Sequence, residues 1–153
     1  EMYVEQFRIF ADNFPSSGKL IYCQKDTILK DVCVESSTAA EKIPYSIPAH
    51  KIENGKTFLT EVNGSEPIGL QIFGEHNLMN LEGARLVCNA IGVTGEKFYE
   101  AIKSFKGAAR RLETVMSTDD FILFKDFAHS PSKLKATADA VKKQFTGRKV
   151  IAC

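Results

Sequence analysis

Pro67-Ile-Gly-Leu-Gln-Ile-Phe73, running into Gly74-Glu-His-Asn-Leu-Met-Asn80, decides how this chain is read. The apolar run stops at Gly74, and a helical pattern starts at once after it. The spacing predicts a buried strand over 67–73. It predicts a helix from about Asn77 to Ile91 that buries Leu81, Ala84, Val87, Cys88 and Ile91, with Gly92 as its stop. Asn77 and Asn80 lie three residues apart in the first turn, so they share one face. A strand that ends in glycine and opens into a polar helix start is a ligand-binding arrangement in α/β proteins. The helix N-terminus presents free N–H groups and a positive dipole end, and ligands gather at the carboxyl ends of strands.

Upstream, Tyr3, Phe7, Phe10 and Phe14 recur at helical spacing and predict one helix with an aromatic stripe. Lys19–Cys23 predicts a short buried strand, and Asp26-Thr27 caps a helix to about Val32. Ile43–Ile47 reads as a strand weakened by Pro44. Lys51–Glu53, Asn54-Gly55 and Lys56–Val62 form a hairpin signal with a type I′ turn, and Asn63-Gly64 makes a second turn. Downstream, Thr94 opens a helix carrying Phe98, Ala101, Ile102 and Phe105 on one face. Lys106-Gly-Ala-Ala109 marks a domain boundary. After it, strands over Arg111–Met116 and Phe121–Phe127, a helix over Ser132–Phe145 and a strand at Lys149–Cys153 predict a βαβ unit with a parallel sheet. The fold class is α/β.

The chain has 153 residues, 44% of them hydrophobic, enough for one medium domain or parts of two. A net charge of +1 gives no global field for nucleic acid. No apolar run is long enough for a membrane helix. Cys23, Cys33, Cys88 and Cys153 are widely spaced and read as reduced thiols. The chain begins at Glu1 without an initiator Met and stops on an apolar segment, which reads as a piece of a larger α/β protein.

Three polar clusters carry chemistry. His76, Asn77 and Asn80 can recognise a purine, because a carboxamide pairs donor and acceptor with adenine N6 and N7; they equally serve as a helix cap and a turn residue. Arg110-Arg111 suits phosphate through paired charge-assisted bonds, or a solvated strand start. Asp126-Phe-Ala-His129-Ser-Pro131 sits between a strand and a helix. There the Asp can accept ribose hydroxyls and the His can approach phosphate, or both can serve the turn. The three clusters are expected to face one nucleotide. Asn54-Gly-Lys-Thr57 ends like a phosphate-binding loop, but His50 stands where that loop needs glycine, so a hairpin turn is expected.

In order and spacing, GEHNLMNLEGARLVCNAIGV (74–93), SFKGAARRLE (104–113) and KDFAHSPSKLKATADAV (125–141) resemble the Mur ligase family of ATP-dependent amide-forming enzymes. Within it, Glu75 and Leu112 resemble the cell-wall recycling branch, which joins L-alanyl-γ-D-glutamyl-meso-diaminopimelate to UDP-N-acetylmuramic acid. The sister branch that adds L-alanine, the alternative within the family, usually carries Arg and Phe at those places. A non-catalytic nucleotide-binding module is the alternative from another class.

The resemblance implies that residues 1–106 are the later part of a central ATP-binding domain with a mixed sheet and helices. Residues 107–153 would then start a Rossmann-like C-terminal domain. It implies ATP and Mg²⁺ as cofactors, with the metal ligands, the phosphate loop and the UDP-sugar domain outside this chain, and a bacterial cytoplasmic setting. His76, Asn77, Asn80, Arg110, Arg111 and Asp126 are implied to bind nucleotide; Arg111, Asp126 and His129 to serve the reaction, with Lys133 as a further contact. UDP-N-acetylmuramic acid and a short cell-wall peptide would be the partners, with no nucleic acid or membrane. The fragment alone would be inactive.

Overall fold

The computed structural model describes residues 2–62 and 66–153, so the expected Asn63-Gly64 turn lies outside the described residues. The chain forms two compact units. One gathers the residues up to Ile47 with Met79–Phe98, and the other joins Pro48–Leu78 to Tyr99–Cys153.

The first unit holds α1 (Met2–Asp12), β1 (Lys19–Cys23), α2 (Thr27–Glu35) and β2 (Glu41–Tyr45). β1 and β2 pair in parallel, from Lys19 opposite Glu41 to Cys23 opposite Tyr45. With α2 as the crossover they form a βαβ unit. Asp26 caps α2, its carboxylate accepting the Leu29 N–H at 3.0 Å. The core is Ala11, Leu20, Tyr22, Val32 and Cys33, with Val4, Phe14 and Leu29 against it. The helix over α1 is therefore as predicted, but its aromatic stripe is not the buried face. Tyr3, Phe7 and Phe10 are exposed, whereas Val4 and Ala11, seven residues apart, face inward.

The second unit holds β3 (His50–Glu53), β4 (Lys56–Leu59) and β5 (Ile68–Leu70) in one antiparallel sheet. Asn54 and Gly55, at φ of 50° and 71°, close the β3–β4 turn as the Asn-Gly pair demands. The phosphate-loop look-alike is thus a hairpin. α3 (Glu75–Ala90) starts in this unit and continues into the first, and α4 (Gly95–Ile102) follows. α3 ends in a Schellman motif: Val93 N–H donates to Cys88 O at 2.9 Å and Gly92 N–H to Asn89 O at 3.0 Å.

Beyond the small-residue stretch come β6 (Glu113–Ser117), β7 (Ile122–Lys125) and α5 (Pro131–Gln144), the last capped by Ser130. β6 and β7 pair antiparallel, with an irregularity between Thr114 and Met116. The βαβ unit expected at this end does not form, because residues 149–153 make no strand. They run instead beside a groove of about 500 Å³ lined also by Phe121–Phe124 and Val141.

Phe73, Leu112 and Ala140 form one buried cluster of this unit, with Phe124, Val141 and Phe145 against them. Phe73 meets Phe124 and Phe145 edge-on, with centroids 5.4 and 5.7 Å apart. Beside them Thr57 and Gln144 are buried polar residues joined directly: Thr57 Oγ1 donates to Gln144 Oε1 at 2.9 Å. Gln144 Nε2 donates to Gly55 O at 2.8 Å. α5 is thereby fastened to the β3–β4 hairpin.

Candidate functional site

Gly74 sits at φ +89°, the region that only glycine occupies freely. A Cβ there would lie 2.8 Å from Ala140 Cβ and 3.1 Å from the His76 ring. α5 and the imidazole thus both crowd onto the strand-to-helix corner. Asn77 and Leu78 N–H groups donate to Gly74 O, and the Asn77 side-chain amide donates to Phe73 O at 2.9 Å. Asn77 therefore holds the corner with its nitrogen and keeps its carbonyl oxygen for other partners. Asn80 is exposed one turn further on, in the part of α3 that belongs with the first unit.

The twin-arginine turn and the Asp126 corner are stitched together. Phe127 N–H donates to Arg110 O at 2.9 Å, and Leu112 N–H donates to Asp126 Oδ1 at 3.0 Å. Arg110 N–H donates to Glu113 Oε2 at 2.8 Å. Arg110 and Leu112 stand at φ 58° and 49°, left-handed conformations that cost a residue with a Cβ roughly 1–2 kcal/mol. Leu112 is buried, while both arginines are exposed. Among the described residues no ion pair engages either of them. Two cations without a carboxylate partner on a shaped turn suit a phosphate group.

His76 links this turn to the head of α3. Burial pushes its imidazole below the ordinary histidine value; the Asp126 charge pulls it up and the Arg111 charge pushes it down. The glycine corner, Arg111 and Asp126 therefore share one electrostatic neighbourhood. His129 lies at the exposed rim: Nδ1 is 3.1 Å from Phe127 O, and Nε2 is 3.3 Å from Lys133 Nζ. A neutral imidazole with its proton on Nδ1 satisfies both contacts. The Lys133 ammonium is thus tied to His129.

The structure joins Arg110, Arg111 and Asp126 in one hydrogen-bonded turn, His76 at the glycine corner feels the charges of Arg111 and Asp126, Asn77 holds that corner, and His129 follows Asp126 in the chain. Sequence reasoning missed Glu113 and Thr137, whose hydroxyl donates to Asp126 Oδ2 at 2.7 Å. Glu113 was legible as the acid closing an R-R-L-E run, but Thr137 lies eleven residues from its partner and left no local signal. Among the described residues no group of three His, Cys, Asp or Glu forms a metal cradle. No described helix is long and apolar enough to cross a membrane.

No family model matches the chain. The UDP-N-acetylmuramate–L-alanine ligase of Sulfurihydrogenibium sp. (strain YO3AOP1) is 30% identical over 152 residues, covering 95% of this chain and 33% of that protein. The crystal structure of a murein peptide ligase from Psychrobacter arcticus matches with a TM-score of 0.63 at 23% identity, over 95% of this chain and 32% of that one. A folylpolyglutamate synthetase complex with AMPPCP and folate matches with a TM-score of 0.65 at 13% identity, over 94% of this chain and 38% of that one.

The fold is the mixed α/β fold shared by these ligases. The similarities support the Mur ligase family, and this chain spans about a third of the length of its L-alanine ligase relative. The recycling-branch expectation drawn from Glu75 and Leu112 is not confirmed: the 30% identical relative is an L-alanine ligase, and the murein peptide ligase shares the fold.

Proposed function

We propose that this chain is the nucleotide-facing part of an ATP-dependent Mur-type ligase that joins L-alanine to UDP-N-acetylmuramic acid. The carrying observation is that the Asp126 carboxylate holds the Leu112 N–H, next to Arg111, at 3.0 Å, and that Leu112 packs in one buried cluster with Phe73, the residue before the glycine corner. The 30% identity to an L-alanine ligase over nearly the whole chain supports the choice of amine. The second reading, the recycling ligase that takes a tripeptide, rests on Glu75 and Leu112. We also propose that Lys106/Gly107 divides a central from a C-terminal segment, supported by the change of grammar there; both segments contribute to the second compact unit, where Phe73 packs with Leu112 and Ala140.

In this reading ATP supplies the phosphoryl group that turns the sugar's carboxylate into an acyl phosphate. The chain's own residues bind and orient. Arg111, with Arg110 beside it, neutralises charge on the phosphate oxygens, which is the main demand such a transfer makes on a protein. Asn77 Oδ1 takes the base side. Burial holds the His76 imidazole below the ordinary histidine value, so at neutral pH it adds no competing cation near Arg111. Asp126 and His129 border the nucleotide from the C-terminal segment. Mg²⁺ would be held by residues outside this chain, and catalysis would take place in a bacterial cytoplasm.

The test is a substrate comparison on the full-length gene product. ATP and UDP-N-acetylmuramic acid are supplied with L-alanine or with L-alanyl-γ-D-glutamyl-meso-diaminopimelate, and phosphate release and the amide product are followed. Turnover with L-alanine is expected. Turnover with the tripeptide alone would select the second reading, and amide formation with neither would overturn both.

A further inference from the structure

We propose that Thr137 is a positioning residue that sets Arg111 through Asp126, an inference that rests on the phosphate-binding role given to Arg111 above. The contacts form a chain. Thr137 Oγ1 donates to Asp126 Oδ2 at 2.7 Å, and Asp126 Oδ1 accepts the Leu112 N–H at 3.0 Å. Leu112 is the residue after Arg111, and it is left-handed at φ 49°. Arg110, the residue before, is left-handed at φ 58°, with its N–H on Glu113 Oε2 at 2.8 Å. Arg111 is thus the middle of a three-residue turn whose two flanks occupy a conformation that side chains disfavour. A turn of that kind persists only where its surroundings fix it.

Two carboxylates supply that fixing, one on each flanking N–H. They differ in security. Glu113 follows its target closely in the chain and reaches it locally. Asp126 reaches across from the end of β7, and its plane is free to rotate unless the second oxygen is also held. The Thr137 hydroxyl holds it. Thr137 lies on α5, whose Ala140 packs in one buried cluster with Leu112, so the helix is a firm base for the contact. The threonine needs no contact with nucleotide to matter: it keeps the carboxylate turned, the carboxylate keeps the turn wound, and the turn aims the guanidinium. One lone-pair direction on each Asp126 oxygen is committed within the chain. The main duty of Asp126 in this arrangement is orientation of Arg111 rather than capture of a ribose hydroxyl.

The experiment uses two arms. In the full-length gene product, Thr137→Val is expected to lower kcat by about 10- to 100-fold, the range for a misplaced catalytic group, with KM for the sugar nucleotide unchanged. Thr137→Ser, which keeps the hydroxyl, is expected to restore the rate. Thr137→Val added to Arg111→Ala is expected to cost nothing further, because the threonine acts through that arginine. In the second arm, amide hydrogen exchange of the 153-residue chain is read by NMR. Leu112 N–H is expected to exchange faster in Thr137→Val and normally in Thr137→Ser. Unchanged Leu112 exchange in the valine variant overturns the proposal, and so does a loss that multiplies with Arg111→Ala. If the gene product forms no amide with any amine, the ligase reading fails, and the exchange arm still decides whether Thr137 holds the turn.

Discussion

At the scale of single residues, three side chains make separate demands. Arg111 is exposed on a turn shaped at some cost, without a carboxylate partner among the described residues. Arg111→Ala in the full-length gene product is expected to remove roughly 2–4 kcal/mol of transition-state stabilisation. Steady-state phosphate release measures this, and a rate within threefold of wild type would remove the arginine from the mechanism. Gly74 is held by both backbone and space, so Gly74→Ala is expected to destabilise the fold by about 2–3 kcal/mol. Urea unfolding reads that difference; an unchanged midpoint would mean that α5 does not crowd the corner. His76 carries the pH dependence. Its folded value lies below the ordinary one of about 6.5, so the unfolded chain takes up a proton first as pH falls. Stability is therefore expected to fall from about pH 6.5 downward until the folded value is passed. His76→Gln should flatten that part of the curve in thermal melts run on either side of neutrality. An equal slope in both proteins would assign the loss to other groups.

At the scale of elements, what the sequence reveals depends on how local the deciding contact is. The Asn54-Gly55 hairpin, the Asp26 cap and the Gly92 stop were all legible, because each is settled within a few residues. The α1 stripe misled, since periodicity identifies a face but not whether anything covers it. The aromatic residues at 3, 7 and 10 face out, and the smaller Val4 and Ala11 find the partner. The parallel unit was expected around α5 and occurs around α2 instead, because strand pairing is chosen by long-range contacts that spacing does not encode. Gln144 shows the same limit. It reads as a polar helix end, yet it is buried against Thr57 and Gly55 of the hairpin. Gln144→Leu leaves Thr57 Oγ1 and Gly55 O unpaired, and is expected to cost about 1–3 kcal/mol. Adding Thr57→Val should recover part of that loss, because replacing both partners by apolar groups removes the orphan. Denaturant melts of the single and double variants check this, and strictly additive losses would mean the pair is not coupled.

At the scale of the whole molecule, the order of three polar clusters was enough to propose a shared ligand, and the charges of Arg111 and Asp126 both reach His76. What the sequence did not reveal is the scaffolding behind them. The carboxylate that pins Leu112 and the hydroxyl that pins that carboxylate come from different elements. The choice of amine substrate rested on two residues, Glu75 and Leu112. Glu75 is engaged by Lys143 at 2.9 Å, and Leu112 is buried in a core cluster, so each also has a structural duty within this chain. The described residues hold no phosphate-binding loop, only a hairpin where one was mimicked. The 153-residue chain by itself is therefore expected to hydrolyse no ATP, as radiolabelled phosphate release will show. Turnover by the purified chain would place a complete phosphate cradle within it.

The edge-on rings of Phe73, Phe124 and Phe145 also make the second unit easy to watch. Circulating π electrons shift the resonances of nearby methyl protons away from their random-coil positions. Leu112 and Val141 pack in that aromatic cluster, so their methyl signals should stand apart from the crowded aliphatic envelope in a simple proton spectrum. Those displaced peaks would report, without any label or cofactor, whether the base beneath the arginine turn stays assembled as solution conditions change.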